Sequence, residues 1–190
     1  AAEDPSDPPG NPWPDSAGLL HIEVKNVTSL VSFWEGMARR RADLSIIQEH
    51  SCIPGKLSDL KRTFASDFQR CLVASPLDPN CVTPTGGVAG IARSGDTLIA
   101  LEPVAASLLK LADSGRVQLL AYGKGKGSDL LLFYNVYGFS GGHSNTARAN
   151  GTSAILQAIA DDIQLRPPVA AFVCGDFNAD LADFAATKVL

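Results

Sequence analysis

The chain has 190 residues, of which 45% are hydrophobic and 19% are charged. This length and composition are typical of one globular domain and exclude a disordered or fibrous chain. The formal net charge is −4, but four of the 20 acidic residues lie in residues 1–18, and the remainder carries 16 charges of each sign. Net charge therefore predicts no general attraction to nucleic acid or membranes.

Residues 1–18 are rich in proline and aspartate and contain neither lysine nor arginine. We expect a flexible lead-in, because a segment this polar and proline-dense cannot form a core. It has neither the basic nor the apolar region of a secretory signal, and no run of 18 apolar residues follows it, so we expect an intracellular protein without a membrane segment. The chain begins at Ala1 and its only methionine is Met37, so we expect a piece of a longer protein.

Residues 19–190 alternate between strand and helix patterns. The predicted strands cover residues 19–24, 42–47, 70–74, 88–92, 116–122, 130–137 and 169–174, and the predicted helices cover residues 28–37, 56–64, 104–112 and 145–163. Gly123–Ser128 is predicted to be a hairpin loop, with its lysines as a minor nucleic-acid contact, because a strand rather than a helix follows it. This order indicates an α/β or α+β domain with at least one covered sheet.

Polar side chains stand where three of the apolar strands end. Asn26 follows the first predicted strand, Gln48 and Glu49 follow the second, and Asp176 and Asn178 follow the last. Side chains on rigid elements are well positioned for chemistry, and hard cations such as Mg²⁺ bind oxygen ligands completed by water and substrate phosphate. Each of these residues alone is more simply explained as a turn former, so only their combination indicates a site.

Several motifs occur in a characteristic order along the chain. They are an asparagine motif at Asn26–Leu30, Gln-Glu within Ile46–His50, Gly-Gly-Val-Ala within Gly86–Arg93, a tyrosine strand at Tyr134–Gly138, and Gly-Asp-Phe-Asn at Gly175–Asn178. In this order they resemble the endonuclease/exonuclease/phosphatase superfamily over about residues 19–184. The resemblance implies a four-layer α/β/β/α sandwich with two mixed sheets for residues 19–190. It also implies a domain incomplete at its C-terminus, because the last strands and the Ser-Asp-His motif of the family have no counterpart.

The resemblance implies a role for each residue that matches a motif. Glu49 would bind the divalent ion, with Asn26 beside it. Asp176 would orient or deprotonate the attacking water, Asn178 would hold the scissile phosphate, and Tyr137 would contact or orient the phosphate region. The implied cofactor is Mg²⁺, with Mn²⁺ as the alternative.

Two further residues near the tyrosine strand are candidates for substrate binding. His143 lies in the loop after that strand, and Arg148 lies near the start of the helix that follows. An exposed loop histidine is the alternative for His143. A solvated arginine at a helix start is the alternative for Arg148.

The reaction implied by the resemblance is hydrolysis of a phosphodiester by in-line attack of water. The favoured function is an endonuclease of retrotransposon or apurinic-site type, acting on nucleic acid and on DNA rather than RNA. The alternatives are a phosphatase or phospholipid phosphodiesterase of the same superfamily, and a non-catalytic remnant that lacks the terminal Asp-His motif. The sequence gives no indication of oligomeric state.

Overall fold

The structure is a computed structural model that describes residues 19–27, 30, 33, 42–63, 68–73, 86–125, 127–141 and 146–178. Its strands are β1 (Ile22–Asn26), β2 (Leu44–Gln48), β3 (Phe68–Val73), β4 (Val88–Arg93), β5 (Thr97–Ala100), β6 (Val117–Gly123), β7 (Leu131–Tyr137) and β8 (Ala171–Asp176). Its helices are α1 (Pro54–Thr63), α2 (Ala106–Leu109) and α3 (Thr146–Leu165), with a 3-10 turn at Ala112–Ser114. The predicted lead-in lies outside the described residues. Of the predicted helix 28–37 only Leu30 and Phe33 are described, and both are helical.

The strands form two mixed sheets of four strands each. In the first sheet the order is β1-β2-β4-β3, with β1 and β2 parallel and the other pairs antiparallel. In the second sheet the order is β5-β6-β7-β8, with β7 and β8 parallel and the other pairs antiparallel. The predicted α+β class with two mixed sheets is therefore confirmed.

The apolar side chains divide between three layers of packing because strand side chains alternate between faces. Between the two sheets lie Leu44, Ile46, Ala92, Leu98, Leu120, Tyr122 and Phe133. The outer face of the first sheet packs against helical residues, in a cluster of Val27, Leu30, Phe33, Ile47, Cys52, Leu57, Ala89 and Ile91. The outer face of the second sheet packs against α3, through Val117, Leu119, Tyr134 and Val136 on the sheet and Ile155 and Ile159 on the helix. The result is a sandwich with helices outside both sheets.

Most predicted elements are present, with shifted ends. The first and last predicted strands extend to Asn26 and Asp176, so these polar residues end the strands rather than follow them. The predicted helix 104–112 is wrong in its bounds: Ala105, whose N–H is held by the carboxylate of Asp162, is extended with ψ 126°, so α2 begins at Ala106, and it ends at Leu109 before the 3-10 turn at Ala112–Ser114. The edge strand β5 is missing from the prediction. None of the described helices is long and apolar enough to cross a membrane.

The predicted hairpin between β6 and β7 is confirmed. It lies at the end of the sandwich where β1 and β2 begin, since Lys124 Nζ contacts Asp43 Oδ2 and the carbonyl of Leu19, each at 2.9 Å. Lys124 therefore joins the two sheets, and because its side chain is half exposed, its minor role as a nucleic-acid contact stays a prediction. Lys126 lies outside the described residues.

Within the described residues, β1 and β8 are edge strands on the same side of the sandwich. Ile22, Val24 and Phe172 are 37%, 45% and 47% exposed, although Phe172 stacks on Phe133 of the neighbouring strand with 5.2 Å between ring centroids. An apolar run such as β8 is typical of a strand covered on both faces. The expectation that further strands complete these sheets stays a prediction.

A buried carboxylate ties α3 to the second sheet and to the segment before α2. Asp162 is fully buried and accepts four hydrogen bonds, from the N–H groups of Val104 and Ala105, from the hydroxyl of Tyr134 at 2.7 Å and from Arg166 Nε at 2.7 Å. Burial alone would raise the pKa of Asp162, but these donors outweigh burial and lower it. The carboxylate is therefore charged and stabilising at neutral pH.

Replacing Asp162 with asparagine should lower the free energy of unfolding by about 3 kcal/mol, because Arg166 would lose its buried partner. The effect should fade at acid pH, since the stabilisation by a carboxylate with a lowered pKa is lost as the pH falls through that pKa. Urea unfolding at pH 7 and at acid pH measures both effects. Asp161→Asn, at the partly exposed neighbouring position, is the matched control and should change stability by less than about 0.5 kcal/mol. Equal effects of the two substitutions would contradict this assignment.

Candidate active site

The carboxyl ends of β1, β2, β7 and β8 meet at one end of the cleft between the sheets. Asn26 pairs with Gln48 across the first sheet, and Tyr137 pairs with Asp176 across the second. Further from this end of the cleft, the strand faces between the sheets carry apolar core side chains, for example Ile46 on β2. Between the sheets, polar side chains gather toward the carboxyl ends of these strands, with Asn26, Gln48 and Asp176 at the last positions and Asn135 two residues before the end of β7.

A hydrogen bond between side chains joins the two sheets at this end of the cleft. Asn26 Nδ2 donates to Asp176 Oδ2 at 2.9 Å, and the other carboxylate oxygen of Asp176 accepts the backbone N–H of Asn178 at 3.1 Å. Because each oxygen has a donor, the plane of the Asp176 carboxylate is held in one orientation. Asn26 is exposed and Asp176 is half-buried, so a substrate can reach both.

The Gly-Asp-Phe-Asn segment is shaped by close approaches of its backbone to β7. A side chain at Gly175, which has φ +144°, would overlap the backbone of Val136, and one at Gly138 would overlap the backbone of Phe177. Asn178 adopts φ +54°, and its Nδ2 donates to the carbonyl of Gly138 at 3.2 Å. A turn alone does not require this order of residues. The close approach to β7 requires a glycine at position 175, and the side chain of Asn178 makes a hydrogen bond to the residue that follows β7.

Glu49 lies directly after β2 in a left-handed backbone conformation, with φ +56°. Such a conformation costs about 1 kcal/mol or more for a residue with a side chain, and it persists where its surroundings hold it. The preceding Gln48 is buried, and its Nε2 donates to Asn135 Oδ1 at 2.7 Å. Asn135 in turn donates to the carbonyls of Ile47 and Ala89. This buried amide pair fixes the end of β2 and thereby the position from which Glu49 projects.

The double glycine before β4 makes room for a buried histidine next to Glu49. A side chain at Gly87 would overlap the imidazole ring of His50, which is 1% exposed and whose Nδ1 accepts the N–H of Cys52 at 3.1 Å. Ser51 N–H donates to the carbonyl of Gly86 at 3.0 Å. This structural role of His50 was not predicted from the sequence, although His50 directly follows Glu49 in the chain.

Tyr137 lies at the end of β7 with its hydroxyl close to two polar groups. The hydroxyl is 3.3 Å from Ser140 Oγ and also interacts with the carboxylate of Glu49. Burial raises the pKa of Tyr137, and the carboxylate of Glu49 raises it further. The phenol therefore keeps its proton at neutral pH and can donate a hydrogen bond to Glu49 or to a bound oxyanion.

Two arginines approach the same loop after β7. Arg116, at the start of β6, donates from Nη1 to the carbonyl of Gly138 at 3.0 Å, and Arg148, on α3, donates from Nη1 to the carbonyl of Ser140 at 2.8 Å. Burial lowers the pKa of Arg116, yet a guanidinium stays charged at neutral pH. Neither Arg116 nor Ser140 was a candidate from the sequence. Ser140 could have been found from its spacing after Tyr137, whereas Arg116 is brought in from another strand.

The structure brings most of the sequence-predicted site residues together. Asn26, Glu49, Tyr137, Asp176 and Asn178 all lie at the carboxyl ends of β1, β2, β7 and β8. Arg148 contacts the loop that carries Ser140, beside this group. His143 lies outside the described residues. The catalytic and binding roles of these residues stay predictions.

The donor set can be compared with the requirements of a divalent cation. No cluster of three or more His, Cys, Asp or Glu side chains occurs in the part of the chain that the structure describes. Mg²⁺ does not need one, because it is commonly bound through one or two carboxylates together with water and substrate phosphates. Asn26 donates its Nδ2 to Asp176, so its Oδ1 is the atom that could act as an oxygen ligand, and Asn26 pairs with Gln48, the residue before Glu49. The residues present therefore fit Mg²⁺ or Mn²⁺.

Several solved structures share this fold. The chain superposes on the catalytic domain of Xenopus laevis APE2 with a TM-score of 0.62 and 16% identity, covering 84% of this chain and 59% of that one. For the Neisseria 3′ phosphatase NExo bound to a product DNA hairpin, the TM-score is 0.55 with 18% identity and coverages of 87% and 60%. For an endonuclease/exonuclease/phosphatase family protein of Bacteroides thetaiotaomicron, the TM-score is 0.50 with 13% identity, covering 88% of this chain and 65% of that one.

The chain shares the fold of these structures, one of which is described as an endonuclease/exonuclease/phosphatase family protein, so the resemblance drawn from the sequence motifs is confirmed at the level of the fold. The chain spans about three fifths of the length of the first two of these structures. No protein-family model and no curated protein matches the sequence.

Proposed function

We propose that this protein is a metal-dependent phosphodiesterase that hydrolyses nucleic acid by direct attack of water. The single observation that supports this most is the Asn26–Asp176 hydrogen bond at the mouth of the cleft. In this proposal the carboxylate of Asp176, which has a donor to each oxygen, the amide oxygen of Asn26 and the carboxylate of Glu49 surround one solvent-accessible position. Metal-dependent hydrolysis of a phosphodiester uses this combination of a positioned base and a site for a cation.

In this proposal each side chain has a task that its contacts suit. Asp176 orients the attacking water and accepts its proton, because Asn26 and the N–H of Asn178 hold its carboxylate in place. Asn178 and Tyr137 donate hydrogen bonds to phosphate oxygens. Donors fixed in advance stabilise the charge that develops in the transition state.

Glu49 and Asn26 Oδ1 are the groups we propose to hold the divalent ion. When bound there, Mg²⁺ would neutralise negative charge that develops on the phosphate. The carboxylate of Glu49 is oriented for this purpose by the hydroxyl of Tyr137 and by the left-handed backbone at its own position.

We propose DNA as the substrate, as for an apurinic-site or retrotransposon-type endonuclease. Supporting this choice, one structural neighbour is described as bound to a product DNA hairpin and another as an AP endonuclease from Leishmania major. The second candidate is removal of a terminal phosphate from DNA, because the hairpin-bound neighbour is described as a 3′ phosphatase.

The test is a comparison of substrates under one set of conditions with Mg²⁺. We expect nicking of supercoiled plasmid and cleavage of an oligonucleotide with an apurinic site. Phosphate release from a 3′-phosphorylated oligonucleotide alone would support the second candidate. Release from inositol phosphates or sphingomyelin, without cleavage of nucleic acid, would overturn the nuclease proposal. Inactivity on every substrate would support the non-catalytic alternative.

A further inference from the structure

Arg116 is a half-buried cation that lies against the loop after β7, and no motif pointed to it. Its guanidinium carbon lies 4.0 Å from the ring centroid of Phe139 and 5.1 Å from that of Tyr137. Nη1 donates to the carbonyl of Gly138 at 3.0 Å and approaches the carbonyl of Tyr137 at 3.4 Å. The backbone carbonyl of Arg116 accepts the N–H of Tyr137 at 2.7 Å. Three consecutive residues of the loop are therefore in contact with one arginine.

The carbonyl of Gly138 connects this arginine to a site residue. It accepts hydrogen bonds from Arg116 Nη1 and from Asn178 Nδ2, at 3.0 Å and 3.2 Å. Moving this carbonyl would move the amide of Asn178, and moving the rings beside the guanidinium would displace the hydroxyl of Tyr137. An arginine suits this position because its planar guanidinium can stack on aromatic faces while it donates in its own plane, which the compact ammonium of lysine cannot do.

We propose that Arg116 is a positioning residue of this site, which holds the Gly138 carbonyl and the Tyr137 ring so that Asn178 and Tyr137 present their donors to a phosphate. It acts through these residues and does not itself touch the reacting atoms. The expected loss of kcat rests on the proposed function. The effect of Arg116 on the position of the Asn178 side chain can be measured whether or not the protein is active.

The structural measurement is the NMR signal of the Asn178 side-chain amide, assigned by its loss in Asn178→Ala. We expect Arg116→Lys to shift this signal while the protein keeps a cooperative thermal transition. Arg93→Lys is the matched control, because Arg93 is exposed at the end of β4 that lies away from the site. This substitution should leave the Asn178 signal in place. An unchanged Asn178 signal in Arg116→Lys would overturn the proposal, whether or not the protein hydrolyses phosphodiesters.

The kinetic measurement is a double-mutant cycle on plasmid nicking. We expect Arg116→Lys to lower kcat by about 10²-fold with little change in KM, because a misplacement near 1 Å has effects of this size. Combined with Asn178→Ala, it should cause little further loss, since coupled residues are not additive. Multiplicative losses in the double variant, or wild-type kcat in Arg116→Lys, would contradict the proposal. An inactive wild type would overturn the proposed function and leave the NMR result to decide the role of Arg116.

Discussion

Replacing Glu49 with glutamine is expected to lower phosphodiester hydrolysis by about 10³-fold, which is the loss seen when a group that stabilises transition-state charge is removed. Glutamine keeps the size of the side chain but removes the charge that would hold a divalent ion. Its amide can still accept the hydrogen bond from Tyr137, so the fold around the site should persist. Plasmid nicking measures the effect, first at the Mg²⁺ concentration that saturates the wild type and then at higher concentrations.

The matched control for Glu49 is Glu102→Gln, because Glu102 is exposed and its side chain has no part in the site. This variant should nick plasmid at the wild-type rate. If Glu49→Gln nicks as fast as Glu102→Gln, Glu49 is not the metal ligand. Partial recovery of Glu49→Gln at higher metal concentration would agree with weakened metal binding.

Replacing Asp176 with asparagine is expected to lower hydrolysis by about 10²–10⁴-fold, the range for loss of a general base. The substitution preserves shape, and Asn26 can reverse its amide to pair with the new side chain, so thermal stability should change little. Activity at several pH values and a thermal melt together separate loss of chemistry from loss of structure. Asp129→Asn, in the exposed loop between β6 and β7, is the control and should be fully active. Wild-type rates in Asp176→Asn would leave Asp176 as a turn residue only.

The sequence showed which polar residues lie together at the strand ends more clearly than it showed where the elements begin and end, for a physical reason. Strand ends carry polar residues that interrupt an apolar run, so Asn26, Glu49 and Asp176 were visible as departures from a pattern. The exact end of a strand depends on pairing with neighbours, and β1 and β8 extend to their polar residues because β2 and β7 continue beside them.

Long-range contacts account for what the sequence could not predict. Asp162, far along the chain, accepts the N–H groups of Val104 and Ala105 and so holds the extended residue that precedes α2. Arg116 lies against the rings of Tyr137 and Phe139 because β6 and β7 pair. Local propensity contains no information about either contact, nor about the approach of the Val136 backbone that leaves no room for a side chain at Gly175.

The measurement that tests the central claim most directly is broadening of NMR signals by Mn²⁺, a paramagnetic substitute for Mg²⁺. If the carboxyl ends of β1, β2 and β8 form one metal-dependent phosphodiester site, substoichiometric Mn²⁺ should broaden the amide signals around Asn26, Glu49 and Asp176. Excess Mg²⁺ should reverse the broadening, and Glu49→Gln should abolish it. Broadening centred elsewhere on the protein, or broadening that persists in Glu49→Gln, would contradict the account.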